Sequence, residues 1–285
     1  MGTSMDPQLV KHFWKEEAKK KPCYVGQMYY WSLKKDGWYG YIEMRQGKLI
    51  PKVRTRTHKE IITIRDHIDE FKLNWQQIFD GANIKSGRLI MEVRDFHDIC
   101  TNVYEINSIL KKEKIQQQCS YWIHDIIDYN KHESAEDRLT RLYKGFAWNN
   151  EIYGNIRFLK PHLITSDITR AIEYYKTVVS VGEEGIVGKA CKSFYEPGKR
   201  NGNLLKMKAE VIIKNCTIIK RLPGLGNGSL LVKLPSGIEA QVAGITEKQN
   251  HLWNVKEPVG EKVHIACMQI TPTGKLREPR LWDIL

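Results

Sequence analysis

Apolar positions in the first two thirds of the chain follow two different periods. After Ser166, the residues Ile168, Ala171, Ile172, Tyr175, Val178 and Val179 step by three and four. That spacing predicts one helix with a single apolar stripe, ended by Gly182. Ser134-Ala-Glu-Asp137 is an N-capping sequence, and Leu139 and Leu142 follow on one face, which predicts a second helix. Met28-Tyr-Tyr-Trp31 reads instead as a strand that runs into a glycine-containing turn. Both helical stripes are read as core.

The pattern changes near Lys208 to Val211. Beyond that seam the sequence predicts only short strands: Val211 to Ile213, Ser229 to Val232, Ala240 to Val242 and Val263 to Ala266. Pro235-Ser-Gly237 is a turn, and Gly224, Gly226, Gly228, Gly244 and Gly260 punctuate the rest. Short strands in so small a segment suit a closed or partly open barrel, because closure removes exposed edges. The expected organisation is α+β: a mixed domain over 1–209 and a small β-barrel over 210–285.

Composition narrows the class. The chain has 285 residues, 41% apolar and 27% charged, enough to build a packed core and too much for a disordered or collagen-like chain. Lys and Arg number 45 against 33 Asp and Glu, a surplus of +12 that suggests a polyanionic partner. No apolar run approaches the ~18 residues that span a bilayer, so no membrane partner is expected. The polar start, with Lys11, Lys15 and Lys19, carries no secretory pattern. The six cysteines (Cys23, Cys100, Cys119, Cys191, Cys216 and Cys267) are dispersed, without C-x-x-C or zinc spacing. Free thiols in a reducing cytoplasm are the simplest account.

Candidate chemistry centres on Ser32-Leu33-Lys34-Lys35-Asp36-Gly37-Trp38-Tyr39. A strand leading into a turn can hold an amine at the mouth of a pocket. At its usual pKa of about 10.4 a lysine is protonated and cannot attack. Burial, or positive charge from Lys35, Lys206 and Lys208, is expected to lower that pKa and free the lone pair. Taken alone, K-x-D-G fits a solvated surface turn better than a catalytic one. Further along, Glu184-Gly-Ile-Val-Gly-Lys189 sets an acid and a base around an apolar strand. In Leu204-Leu-Lys206-Met-Lys208 the two lysines share one strand face, as expected of an anion site or of an edge strand kept soluble by charge.

Together these segments resemble the covalent nucleotidyltransferase superfamily, which holds ATP-dependent DNA ligases, RNA ligases and mRNA capping enzymes. The motifs K-x-D-G, E-G-I-V-x-K and L-K-M-K fall in the family's order, with Glu92 and His124-Asp125 between them. The resemblance implies a nucleotidyltransferase domain of ATP-grasp-like antiparallel sheets with flanking helices, followed by an OB-fold. Thr55-Arg56-Thr57 looks like the Ser-Arg-Thr with which DNA ligases grip a strand phosphate. Gly274-x-Leu276-Arg277-x-Pro279, followed by Arg280, looks like the closing barrel segment of small bacteriophage and viral DNA ligases.

The resemblance therefore implies an ATP-dependent DNA ligase of the minimal two-domain plan. It assigns Lys34 as the nucleophile that takes AMP from ATP, with Mg²⁺ near Glu184. Lys206 and Lys208 would neutralise phosphate charge, and Asp36 and Glu92 would act around ribose and metal. Nucleotide contacts would come from Ser32, Leu33, Lys34, Tyr39, Arg56, Glu92, His124, Glu184, Lys189, Lys206 and Lys208. DNA contacts would come from Arg54, Arg56, Lys189, Arg277 and Arg280, and the partner would be nicked duplex DNA bound by a monomer. An RNA ligase or a capping guanylyltransferase would share most of these motifs, and a non-catalytic nucleic-acid-binding protein could keep the fold.

Three departures stand out. Tyr39 occupies the position of the family's motif Arg, so Arg54 or Arg56 is expected to take over its work. Ile90-Met91 precedes Glu92 where the family has Asp-Gly. His124 stands where an aromatic stacks on adenine, with Trp122 and Tyr121 as alternatives. Near the carboxyl end, either Arg277 and Arg280 are expected to meet the leaving pyrophosphate or enzyme adenylation is expected to be slow.

Overall fold

A computed structural model of the chain describes residues 7–14, 22–95, 119–147, 152–153, 155–208, 210–224, 226–271 and 273–284. The chain forms two compact units, Met1–Met207 and Lys208–Leu285.

The first unit holds two sheets. In the larger, the strand order is Lys48–Arg54, Trp38–Arg45, Gly87–Asp95, Cys119–Asp128, Ile156–Phe158 and Ile152–Tyr153. Alternation explains its two faces. Leu89, Met91 and Val93 point one way, with Tyr121 and Ile123 from the next strand, and pack against Trp75, Ile78 and Phe79 of helix Lys72–Gly81. Leu142 and Phe146 of helix Ala135–Phe146 complete that core. Glu92 and Trp122 project from the opposite face, as cross-strand partners.

The second sheet runs Leu9–His12, Arg200–Lys208, Gly185–Ala190, Tyr29–Leu33 and Leu163–Thr165. Its core sets Tyr29, Trp31, Ile186, Leu205 and Met207 against Ala171 and Val178 of helix Ile168–Ser180. The predicted helices thus form. Helix Ile168–Ser180 is capped by Asp167, whose side chain accepts from Thr169 N. Gly182 follows it with φ +89°, the left-handed conformation that glycine adopts without strain. Helix Ala135–Phe146 opens with a reciprocal capping box between Ser134 and Asp137.

The second unit is a five-stranded antiparallel sheet in the order Glu239–Val242, Ser229–Lys233, Val211–Leu222, Lys262–Cys267 and Arg280–Ile284. Its core gathers Cys216, Ile218, Leu230, Val232, Val242, Trp253, Val263 and Ile265. Two features correct the sequence expectation of short strands alone. Val211–Leu222 is a 12-residue strand, and Glu247–Val255 is a helix whose Trp253 is buried in the core. Thr246 and Gln249 form a capping box at its start, a signal the β-rich surroundings masked.

Cys23, Cys119, Cys191, Cys216 and Cys267 are free thiols, while Cys100 lies outside the described residues. Among the described residues, no helix is long and apolar enough to cross a membrane.

Candidate active site

The strand pair at the heart of the second sheet positions the candidate nucleophile. Leu33 pairs with Ile186, Ser32 with Val187 and Tyr30 with Lys189. The Lys34 N–H then donates to Gly185 O at 2.8 Å. This ladder sets Lys34 beside Glu184, and Nζ donates to Oε2 at 2.6 Å. Asp36 is buried close by. Gly37 lets the chain pass against the neighbouring strand, because a Cβ there would fall 2.9 Å from Val93 O.

The electrostatics of Lys34 reverse the sequence expectation. Burial does press its pKa down, but the carboxylates of Glu184, Glu92 and Asp36 outweigh it and hold the amine above its ordinary value. The amine of Lys35, expected to supply repulsion, donates instead to Glu183 at 2.7 Å. Glu92 answers in the opposite sense. Burial pushes it up to about 7, against the pull of Lys34 and together with repulsion from Glu184.

A small cavity lies alongside, lined by Ser32, His124, Asp125, Lys189, Leu159 and Pro161 among others. A local irregularity shapes it. Ile90 pairs with Asp125 and Met91 with Ile123, so His124 is the extra residue of a β-bulge. Bulges re-aim side chains, and here both His124 and Asp125 reach the cavity. Burial, reinforced by Lys189, pushes the His124 pKa down to about 3, so the ring is neutral. Asp125 accepts from Arg138 Nε at 2.9 Å and from Lys189 Nζ at 2.9 Å. Burial would raise its pKa, but these two cations hold it far below the usual carboxylate range. Lys189 also donates to His124 O.

The remaining predicted residues separate into groups. Tyr39 lies opposite Glu92 on the adjacent strand, and the Arg56 guanidinium stands 5.5 Å over its ring. Arg54 donates to His58 O, which pins the turn that carries Arg56. Lys206 and Lys208 occupy one strand face, alternating with the core residues Leu205 and Met207. Lys208 is buried and bonded to Glu278 at 3.3 Å. In the second unit, Arg277 is buried and Arg280 is paired with Glu210. Tyr121, one candidate for stacking on adenine, is buried in the core with Trp75, so it does not face the cavity.

Two residues escaped the sequence reading. Arg138 lies on the buried face of its helix, and its place four residues after Ser134 was the one available hint. Arg157 is the cross-strand partner of Trp122, a relationship only register reveals.

The fold is similar to that of solved DNA ligases. The ATP-dependent DNA ligase from bacteriophage T7 in complex with ATP superposes with TM-score 0.56 and 16% identity, covering 98% of both chains. A solved chain named Pmar-Lig_PreS3 gives 0.74 at 18% identity, over 99% of this chain and 68% of that one. Residues 32–208 match the family model described as ATP dependent DNA ligase domain. The chain belongs to that family. A curated DNA ligase of Thermococcus onnurineus (strain NA1) is 40% identical over 50 residues, which is 18% of this chain and only 9% of that protein's length.

Proposed function

We propose that the chain is an ATP-dependent DNA ligase that seals 5′-phosphate/3′-hydroxyl nicks in duplex DNA. Residues 1–209 act as the adenylyltransferase domain and residues 210–285 as an OB-fold that helps grip the duplex. The observation that carries this reading is the Lys34–Glu184 pair beside the cavity, inside the segment that matches the family.

In the first step the Lys34 amine attacks the α-phosphorus of ATP. A P–N bond forms, the bond to the β-phosphate bridging oxygen breaks, and pyrophosphate leaves. The proton that Nζ must shed has an acceptor 2.6 Å away in Glu184 Oε2. Next, the 5′-phosphate of the nick attacks the AMP phosphorus and Lys34 regains its amine. Finally the 3′-hydroxyl attacks that 5′-phosphate, and AMP departs. Phosphoryl chemistry of this kind depends on alignment and charge neutralisation.

Ser32, Leu33 and the bulged His124 would line the nucleotide site, with the neutral ring as an adenine platform. Asp125 fixes Lys189 and the bulge.

The carboxylates suit Mg²⁺. Glu184 Oε1 is buried without a hydrogen-bond partner, and Glu92 is crowded by like charge. Mg²⁺ needs only one or two carboxylates besides phosphates and waters. Bound there by Glu184, it would neutralise charge on the transferring phosphate. Lys206 and Lys208 would add to that neutralisation. Half-buried Arg54 at its strand end and exposed Arg56 in the following turn present cationic groups suited to a DNA phosphate, and Arg277 and Arg280 would serve after rearrangement of their present contacts. The +12 charge fits sequence-independent binding of duplex DNA. A monomer acting in the cytoplasm fits these features.

Intact mass after incubation with ATP and Mg²⁺ tests the reading. The expected result is a gain of one AMP, reversed by pyrophosphate and absent with GTP. A label from GTP alone would assign a capping guanylyltransferase. Preference for nicked RNA over nicked DNA would assign an RNA ligase, and no label at all would assign a binding protein.

A further inference from the structure

One row of side chains crosses four strands of the larger sheet. Tyr39 pairs with Glu92, Glu92 with Trp122, and Trp122 with Arg157. Cross-strand partners share a face of the sheet. Ile156 and Phe158 beside Arg157 point into the core, so Arg157 belongs to the opposite face, with Glu92. The row passes the nucleophile, because Glu92 feels the charge of Lys34.

Two arginines are mounted on aromatic rings along this row, one on each side of Glu92. Arg56 stands over Tyr39 at 5.5 Å, and Arg157 stands over Trp122 at 5.0 Å. Trp122 also receives Lys35, whose Nζ is 4.7 Å from a ring centroid. The two cations on Trp122 differ in one respect. Lys35 is neutralised by Glu183 at 2.7 Å. The half-buried Arg157 has no carboxylate within ion-pair distance among the described residues. An arginine held on a ring keeps its charge and presents its planar donors in a fixed direction. Its natural complement is a tetrahedral oxyanion, which can accept two parallel N–H bonds.

We infer that Arg157, positioned by Trp122, is a phosphate-binding residue of the active site. This rests on the ligase reading above. It adds a residue outside every motif by which the chain resembles its family. The phosphate can belong to the nucleoside triphosphate or to the DNA strand at the nick; both present the same oxyanion.

Equilibrium binding separates the two sources and does not require turnover. Arg157→Gln removes the charge while keeping a planar hydrogen-bonding group on a shorter stem. If the triphosphate is the ligand, the variant weakens ATP binding at least tenfold and leaves the duplex dissociation constant within twofold. If the strand phosphate is the ligand, ATP binding is unchanged and nicked-duplex binding weakens. The slope of log K against log salt then falls by about one. In either case Trp122→Leu reproduces the loss and Trp122→Phe, which keeps a ring, recovers most of it. ATP and duplex constants both within twofold of wild type in Arg157→Gln would overturn the assignment. Should Arg157→Gln fail to fold, Arg157→Met serves, since it keeps an unbranched stem for packing and removes the charge. Wild-type constants in that variant would also overturn it. Wild-type protein that binds ATP but takes no AMP label would sink the ligase reading separately.

Discussion

Nζ of Lys34 and Oε2 of Glu184 are 2.6 Å apart although 150 residues separate them in sequence. The strand ladder alone brings them together, through Leu33 opposite Ile186 and the Lys34 N–H on Gly185 O. The ion pair holds the amine protonated before ATP arrives, so the acid both orders the nucleophile and stands ready for its proton. Lys34→Arg keeps a cation beside Glu184 but removes the attacking amine. Its thermal midpoint should stay within a few degrees of wild type, while mass spectrometry detects no AMP adduct. An adduct on that variant would move the nucleophile elsewhere.

The Arg138–Asp125–Lys189 triad is buried, with the Arg138 side chain 4% exposed and Asp125 9% exposed. Breaking such a network by deleting one partner leaves uncompensated buried charge, at a cost of about 3–5 kcal/mol. Asp125→Ala should therefore lower stability by about that amount in urea titration. Loss below about 1 kcal/mol would mean that the charges relax into water.

Much of this architecture is visible in local sequence, and the exceptions have physical causes. Helix Ala135–Phe146 is announced by Ser134 and Asp137, whose capping box needs only neighbours in the chain. Thr246 and Gln249 carry the same signal for helix Glu247–Val255. There the turn-rich composition around them favoured a strand reading. The direction of the Lys34 shift was missed because it is decided across the ladder, by Glu184, rather than by Lys35 next to it. Likewise, Trp122 and Arg157 meet only through sheet register. The bulge at His124 depends on register as well, and no turn residue marks it.

His124 gives a pH dependence with a definite sign. Its pKa falls from an ordinary 6.5 to about 3 through burial first and repulsion from Lys189 next, against an opposing pull from Asp125, with Lys34 adding least. Between those values the unfolded chain binds the extra proton and the folded chain does not. The contribution to stability is therefore complete above pH 6.5 and is lost as pH falls towards 3, on the order of 1 kcal/mol per pH unit. Glu92, raised to about 7, acts oppositely. Its folded form retains a proton that the unfolded chain has released, so its contribution is complete below 4.5 and fades as pH rises through 7. The two partly cancel in wild type. The difference between wild type and His124→Gln isolates the imidazole. The variant should lose less stability than wild type between pH 6.5 and 4.5 in chemical denaturation. Parallel curves would mean that His124 titrates normally.

Gly188 ties packing to the site. It lies directly opposite Trp31 in the ladder, one residue before Lys189. A Cβ built there would fall 2.6 Å from Trp31 Cζ3, closer than atoms can approach. Trp31 cannot yield easily, because it is fully buried and packs against Tyr29 with ring centroids 5.5 Å apart. Gly188→Ala must therefore displace either the indole or the Gly185–Ala190 strand, at about 1–3 kcal/mol. Displacing the strand would also disturb Lys189 and Glu184 at its ends, so the rate of AMP adduct formation should fall along with stability. Gly182→Ala is the contrasting case. Nothing lies within 4 Å of its Cβ, and the cost arises from φ +89° alone, about 1 kcal/mol. That variant should form the adduct at the wild-type rate. The clash also predicts coupling. Trp31→Phe should cost less in the Gly188→Ala background than in wild type, because the smaller ring relieves the contact. Additive losses in that double-mutant cycle would show that the strand, rather than the indole, gives way.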